Sequence, residues 1–405
     1  MANYKGVEYL RNKLTSKRGR VMLRYSYYEM KHLARDFGIS TPPDLVNFMH
    51  VLGWCARAVD SLADRLCFQA FDNDAYNLNG IYAANNQDIL VDSAILGALI
   101  SSCDFIYITA GADGSPQMRV IDGRHATGII DPVTNMLKEG YAVLEFDELD
   151  QPLVEAYFIP GATTIFEKGK QYTYTVKNVA PYPLLVPVIY RPDATRPFGH
   201  SRISRACMTI VDGAVRTVKR SEIAAEFYSY PQKYILGMDP NAEEMEKWKV
   251  TMSSMLRIDK DDDGDKPQVG QFQTAPQTPH TEQLREFAGL FAGETGLTLD
   301  DLGFPSQNPS SSEAIRAAHE TLRLTARKAQ RTLGVGLLNA GYLAACVRDN
   351  MPYSRKQLSN TRLMWAPIFE PDVTSLSGIG DAVQKIQTSF PDYFTEEKLR
   401  ELTGI

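Results

Sequence analysis

Between Phe105 and Tyr190 the chain is broken into eight short β-branched and aromatic runs, and no other feature restricts its fold as strongly. The runs are FIYIT, QMRVID, TGIID, GYAVLEFD, LVEAYFI, TTIFEKG, YTYTV and LVPVIY. Asp113–Gly114, Asp131–Pro132 and Lys168–Gly169 supply turn signals between them. This spacing predicts an antiparallel sheet system over 104–192, not βαβ units.

The segments on either side read as helices. Residues 1–36 alternate charged and apolar residues at helical spacing, and Pro42–Pro43 marks a break before a fresh start at Asp44. Val51, Trp54, Cys55, Ala58, Val59, Leu62 and Leu66 recur at three and four, which predicts an amphipathic helix over Leu45–Leu66. Asn86–Cys103 reads as a more buried helix. From Ser201 to about Tyr228 a long helix is predicted, with Ile203, Cys207, Ile210, Ala214, Val218 and Ala225 on one arc. Arg202, Arg205, Arg216, Lys219 and Arg220 fall on the opposite arc, which is expected to show charge outward.

A small insertion follows between Pro231 and Pro279. It reads as strand (Lys233–Leu236), helix (Asn241–Ser253), strand (Met255–Ile258), acidic turn and strand (Val269–Phe272). Thr278 and Pro279 suit the N-cap and first turn of a helix carrying Leu284, Phe287, Leu290 and Phe291, which stops at Gly296. A loop rich in Gly, Pro, Ser and Asn comes next. Ser310-x-x-Glu313 then has the form of a capping box, opening a helix with Ile315, Ala318, Leu322, Ala326, Ala329 and Leu333 on one face. Arg316, Arg323, Arg327 and Arg331 mark its other face. Gly334, Gly336 and Gly341 predict a kink or break. Leu363–Phe369 reads as a late strand, and Ser375–Ile405 as two short helices split at Pro391. The fold class is therefore α+β, and 405 residues suggest two to three domains, or one domain carrying long insertions.

Several chemistries find no handle. Forty-three Lys+Arg against 49 Asp+Glu leave a net charge of −6, whereas tight binding to phosphates over the whole surface asks for a basic protein. The five cysteines (Cys55, Cys67, Cys103, Cys207, Cys346) include no C-x-x-C pair and are expected as reduced thiols in apolar surroundings. The N-terminal segment lacks the apolar core of a signal peptide. Asp92 and Asp104 interrupt the most apolar stretch, Ile89–Ile108, so no membrane span is expected. No two of the six histidines stand at i, i+4, which leaves zinc chemistry unsupported, and no G-x-S-x-G elbow is present. No G-x-x-x-x-G-K-[ST] loop exists, so ATP-driven translocation by this chain has no phosphate cradle. Asp259–Gly264 matches the first half of a calcium loop. The twelfth position, where a bidentate Glu should close the cage, is Gly270, and the segment reads better as a solvated turn. No cofactor and no metal are expected.

Three strings, in this order, resemble the portal proteins of tailed double-stranded-DNA bacteriophages. The first is Phe198–Gly237, with Phe-Gly-x-Ser, a long helix and then Pro-Gln-Lys before a Gly. The second is Leu290–Leu322, a helix, a loop with Leu-Gly and Asn-Pro, then Ser-Ser-x-Ala and another long helix. The third is the Trp365–Pro367 strand with helices after it.

The resemblance implies a non-enzymatic ring, usually of twelve copies, at one capsid vertex of the virion, made in the host cytoplasm. It would conduct double-stranded DNA without sequence preference. It would also dock the terminase large subunit and a head–tail adaptor, beside major capsid and scaffolding proteins. Mapped onto this chain, residues 1–200 would be an α/β wing, 201–229 and 278–296 two stem helices, and 230–277 a small α/β clip. Residues 297–310 would be a tunnel loop, 311–374 a kinked helix and a strand returning to the wing, and 375–405 a short helical crown. The same mapping gives the stem a surface at Arg205, Arg216, Lys219 and Arg220. It gives the clip docking residues Glu243, Glu244, Trp248, Asp261, Asp262 and Asp263. In the tunnel loop, Thr298, Asp300, Asp301, Ser306, Gln307 and Asn308 would meet DNA, while Leu297, Leu299, Leu302 and Phe304 would pack on the neighbouring loop. A DNA-packaging nucleotidase and a calcium-binding structural module are the alternative readings.

Overall fold

In the computed structural model the described residues are 4–35, 49–149, 151–168, 173–229, 233–236, 268–271, 276–305, 312–369, 373–390, 393 and 399. The chain divides into two units, one made of residues 1–32, 53–208 and 295–405, the other of 33–52 and 209–294.

The larger unit starts with α1 (Val7–Tyr28), α2 (Trp54–Ala63), β1 (Phe68–Asp72), α3 (Leu78–Ala84) and α4 (Gln87–Ser101). The helix expected over Leu45–Leu66 is thus shorter. It begins only after Gly53, and Val51, read as one of its apolar positions, is exposed.

All eight β-runs form strands: β2 (Cys103–Ala110), β3 (Pro116–Ile121), β4 (Ala126–Ile130), β5 (Leu137–Phe146), β6 (Pro152–Ile159), β7 (Ala162–Glu167), β8 (Thr173–Lys177) and β9 (Leu185–Ile189). Every ladder among them is antiparallel. They divide into a three-stranded sheet, β3-β2-β9, and a five-stranded meander from β4 to β8. The two meet where Tyr107 of β2 stacks edge-on against Phe158 of β6 and Leu185 of β9 covers Gly140 of β5. β9 is buried at every residue, so its LVPVI run shows no alternation.

Helix α1 lies on the meander through Leu10 and Leu14, which pack on Tyr141 and Val143. Its entry is fixed by a buried carboxylate. Glu139 accepts hydrogen bonds from the backbone N–H groups of Lys5 (2.9 Å) and Gly6 (3.1 Å), and from the Tyr157 hydroxyl (2.8 Å). A negative group placed at otherwise unpaired helix N–H donors is favourable twice over, through the bonds and through the helix dipole.

The three-stranded sheet is covered by α4 and by the last long helix, α8, described below. Asp104 is buried under α4 at Gly97, where any Cβ would collide with its carboxylate. Ser101 and the Gly123 N–H donate to it, yet burial and neighbouring Asp122 push its carboxyl well above the ordinary range.

Next come α5 (Arg205–Ser229), β10 (Lys233–Leu236), β11 (Gln268–Gln271) and α6 (Thr278–Thr295). In the smaller unit, Gly213 of α5 admits the Phe287 ring of α6, whose atoms would lie 2.7 Å from a Cβ there. Thr217 and Ser221 of α5 donate to Gln283 (3.1 Å) and Gln277 (3.0 Å). β10 and β11 pair antiparallel, as the strand signals at Lys233–Leu236 and near Val269 require. The expected helix Asn241–Ser253, the strand Met255–Ile258 and the Asp259–Gly264 turn lie outside the described residues.

The chain continues with α7 (Ser312–Ala318), α8 (Glu320–Asp349), β12 (Arg362–Trp365) and α9 (Val373–Ser389). Of the apolar face predicted for this helix, Leu322, Ala326, Ala329 and Leu333 are buried in α8, whereas Ile315 and Ala318, which fall in α7, are exposed. The predicted break is misplaced. The helical run is interrupted at His319, while α8 continues unbroken through Gly334, Gly336 and Gly341. These glycines serve close packing. A Cβ at Gly336 would lie 2.9 Å from both the Pro187 carbonyl oxygen and the Val188 Cα, so its absence lets α8 press on the backbone of β9.

Among the described residues, β1, α3 and a 3-10 turn at Arg355–Leu358 had no counterpart in the sequence reading. β1 pairs antiparallel with β12, bringing Phe68 opposite Trp365 with ring centroids 5.8 Å apart. All five thiols are free. Four are buried as expected, while Cys67 is exposed.

Candidate functional site

The loop after α6 is a folded turn, built from the sequence Leu297–Phe304. Gly296 ends α6 at φ +71°, the left-handed position that terminates helices. Leu297 and Leu302 are buried, and the single 3-10 turn Asp300–Leu302 packs against α2. Thr298 and Asp301 bond reciprocally, as in a capping box. The Thr298 N–H and hydroxyl each donate to Asp301 Oδ2 at 2.9 Å, and the Asp301 N–H donates to Thr298 Oγ1 at 3.2 Å. The chain then turns at Gly303, φ +89°.

A second element clamps this turn. His319, at the interruption between α7 and α8, places Nε2 3.1 Å from Asp301 Oδ2 and Nδ1 2.9 Å from the Ile315 carbonyl oxygen. Its ring also meets Phe369 edge-on. Both side chains of the pair are largely covered, at 15% and 16% exposure. Burial opposes the charge on Asp301, but the two Thr298 donors and His319 outweigh it and hold the carboxyl below its ordinary range.

The expected loop residues therefore separate into groups. Asp300 is exposed, whereas Thr298, Leu299, Asp301 and Phe304 are half-buried. Leu297 and Leu302, expected to pack on a neighbouring loop, are already buried within this chain. Asp301, expected to face outward, is taken up by Thr298 and His319. Ser306, Gln307 and Asn308 lie outside the described residues.

The surface of α5, expected for a stem helix, also differs from the reading. The long helix starts at Arg205, not Ser201: Ser204 caps it, its hydroxyl accepting from the Cys207 N–H at 3.1 Å, while the Ser201 hydroxyl turns back to the Ile100 carbonyl at 2.6 Å. Arg202, placed on the outward arc, is 7% exposed; its Nε donates to the Ala58 carbonyl at 3.2 Å and its Nη2 to that of Thr295. Lys219 is buried too. It continues the i, i+4 row of Val211 and Val215, so the buried face of α5 is rotated from the one the apolar residues alone suggested. Arg205 is exposed, and Arg216 and Arg220 are half-buried. On α6, Leu290 is exposed and Phe291 buried. Glu243, Glu244, Trp248, Asp261, Asp262 and Asp263, expected as docking residues of a clip, lie outside the described residues.

His319 and Arg202 had no sequence signal as partners of the loop, though Thr298-x-x-Asp301 matches a box pattern that could have exposed the turn. Among the described residues, no group of three or more His, Cys, Asp or Glu is placed to hold a metal ion. No described helix is long and apolar enough to cross a membrane.

No protein-family profile matches the chain. It is 27% identical over 317 residues to the portal protein of Mycobacterium phage L5, and 26% identical over 318 residues to that of Mycobacterium phage D29. Each alignment takes in 73% of this chain, which spans 65% of the length of these curated relatives. Among solved structures, a chain in the neck of an empty gene transfer agent particle superposes with a TM-score of 0.48 at 14% identity, covering 87% of this chain and 90% of its own. A chain from the virion of the native particle gives 0.46 at 12% identity, covering 96% and 99%. In sequence the chain is thus similar to the portal proteins of two mycobacteriophages, members of the family that its strings at Phe198–Gly237 and Leu290–Leu322 resemble.

Proposed function

We propose that this chain is the repeating subunit of a portal ring, a scaffold without catalysis that encircles double-stranded DNA at one vertex of a virion. The observation that carries the reading is the alignment with two portal proteins across 73% of the chain. The physical fit supports it. A conduit must let duplex slide at every register, and DNA carries one charge per ~1.7 Å that would hold it to a basic wall. A chain of net charge −6 with an exposed Asp300 in the loop after α6 suits weak, sequence-blind contact.

In this reading the turn at Leu297–Phe304 is the root of the tunnel loop. Leu297, Leu302 and the Asp301–His319 pair anchor it, and the exposed Asp300, with the residues beyond Phe304, would approach DNA. Residues 230–277 would dock the terminase large subunit during filling and a head–tail adaptor afterwards. The larger unit would face the major capsid and scaffolding proteins. Twelve copies of the 45.2 kDa chain would weigh roughly 540 kDa. Mass photometry and negative-stain imaging of the purified chain test this. A closed ring with a central hole near that mass is expected, and a persistent monomer under all assembling conditions would refute it.

A further inference from the structure

Helix α1 is a concentrated cationic ridge on a protein of net negative charge. It carries Arg11, Lys13, Lys17, Arg18, Arg20 and Arg24, with no acid between Glu8 and Glu29. Arg11 and Lys13 are turned inward, to Glu155 and to the Gly128 carbonyl. The others gather charge. Burial disfavours the charge on Arg24, and Arg20, Arg196 and Arg205 act on it in the same direction, so four guanidinium groups share one neighbourhood. Apolar side chains stand uncovered among them. Met22 is 50% exposed and follows Arg18 by four residues; Leu23 is 41% exposed and follows Arg20 by three. These spacings make them surface neighbours on the helix. Among the described residues, nothing lies within 4 Å of a Cβ at Gly19, between the two arginines.

The same unit bears a patch of opposite sign. On α4, Ile89 is 72% exposed and flanked by Asp88 and Asp92. Burial and then Asp88 raise the carboxyl of Asp92, and Asp92 and Asp64 both act on the exposed Cys67 thiol, which places these acids together.

We infer that the α1 ridge (Arg18, Arg20, Met22, Leu23) docks on the α4 face (Asp88, Ile89, Asp92, with Asp64) of a second copy of this chain. The occupant follows from chemistry. A phosphate backbone would satisfy the arginines but leave Met22 and Leu23 in water, whereas an apolar centre ringed by charge is the anatomy of a protein interface. The complementary surface, acidic around a bare Ile89, is carried by the chain itself. Because the two surfaces differ, the contact is heterologous, and repetition gives a ring when the rotation closes. The inference rests on the ring reading and adds which surfaces hold neighbouring subunits.

The test is a charge exchange read by mass photometry of the full chain. R20E alone, at an exposed position, should raise the concentration needed for assembly by at least about tenfold, since like charges then face each other. R18E/R20E and D88K/D92K should each leave subunits unassembled, with thermal unfolding matching that of the unaltered chain in its unassembled state. Mixing the two should restore rings of alternating subunits, and the fourfold variant should assemble alone. Raising salt from about 0.1 to 1 M, which shortens the screening length from about 10 to 3 Å, should weaken assembly of the unaltered chain. If R18E/R20E assembles as well as the unaltered chain, or mixing restores nothing, the inference fails while the ring reading stands. If the unaltered chain never assembles, both fail.

Discussion

Replacing Gly336 by alanine offers a sharp check on how α8 is seated. The added Cβ would lie 2.9 Å from the Pro187 carbonyl oxygen and 2.9 Å from the Val188 Cα. Both are backbone atoms of a fully buried strand, so helix or strand must move by several tenths of an ångström. Overfilling of this kind costs about 1–3 kcal/mol, and alanine recovers about 1 kcal/mol of helix propensity. A net loss of about 1 kcal/mol, at most 2, follows for G336A. Gly334 is the internal control, two residues away in the same helix. There the Cβ would meet only side-chain atoms, the Leu363 methyl groups at 3.3 and 3.5 Å and Trp365 at 3.6 Å. A methyl group can turn aside, so G334A should be neutral or gain up to about 1 kcal/mol. For domains of this size, 1 kcal/mol moves the unfolding midpoint by about 2–4 °C. Thermal unfolding of both variants in the same assembly state is the assay. A G336A midpoint at or above that of the unaltered chain, with G334A below it, would refute the close approach of α8 to β9.

The loop and α1 give two further expectations. D301N removes the charge that Thr298 and His319 meet, and charge-assisted bonds are worth about 1.5–3 kcal/mol; backbone amides of Thr298–Gly303 should exchange hydrogen faster, with α8 unaffected. Because Asp301 is held below its ordinary range, its contribution is complete at neutral pH and is lost as pH falls through that lowered value, so the loop should lose protection in acid in the unaltered chain and not in D301N. Lys13 runs the other way: burial first, then Lys17 and Lys5, lowers it to about 8. Between that value and its ordinary one the unfolded chain binds more protons, so stability should rise as pH increases past about 8, and K13M should abolish the rise in thermal unfolding measured against pH.

Much of the larger unit could be read from sequence because its signals are local. The eight strands follow from β-branched runs punctuated by turns, and the buried face of α8 from Leu322, Ala326, Ala329 and Leu333 at helical spacing. What escaped depends on partners far along the chain. Phe68–Asp72 is only five residues long and becomes a strand because Arg362–Trp365 pairs with it. Glycines in α8 carry no local mark distinguishing a bend from a close approach; Pro187 and Val188 decide it. Lys219 was assigned outward by its charge, although the row Val211–Val215–Lys219 lies on the buried face. At the candidate loop, the reciprocal pair Thr298–Asp301 was visible as spacing, but His319 joins it from 18 residues away.

The pairing of β1 with β12 also bears on when the folded chain can exist at all. Phe68 and Phe71 leave the ribosome almost three hundred residues before Trp365, which at 5–20 residues per second is an interval of roughly 15–60 s. During that time an aromatic strand edge waits without its mate, a natural point for chaperone capture or mispairing between nascent chains. The fold would then close only once Arg362–Trp365 has emerged, so the yield of folded chain would be set by that late pairing and not by synthesis of the residues before it.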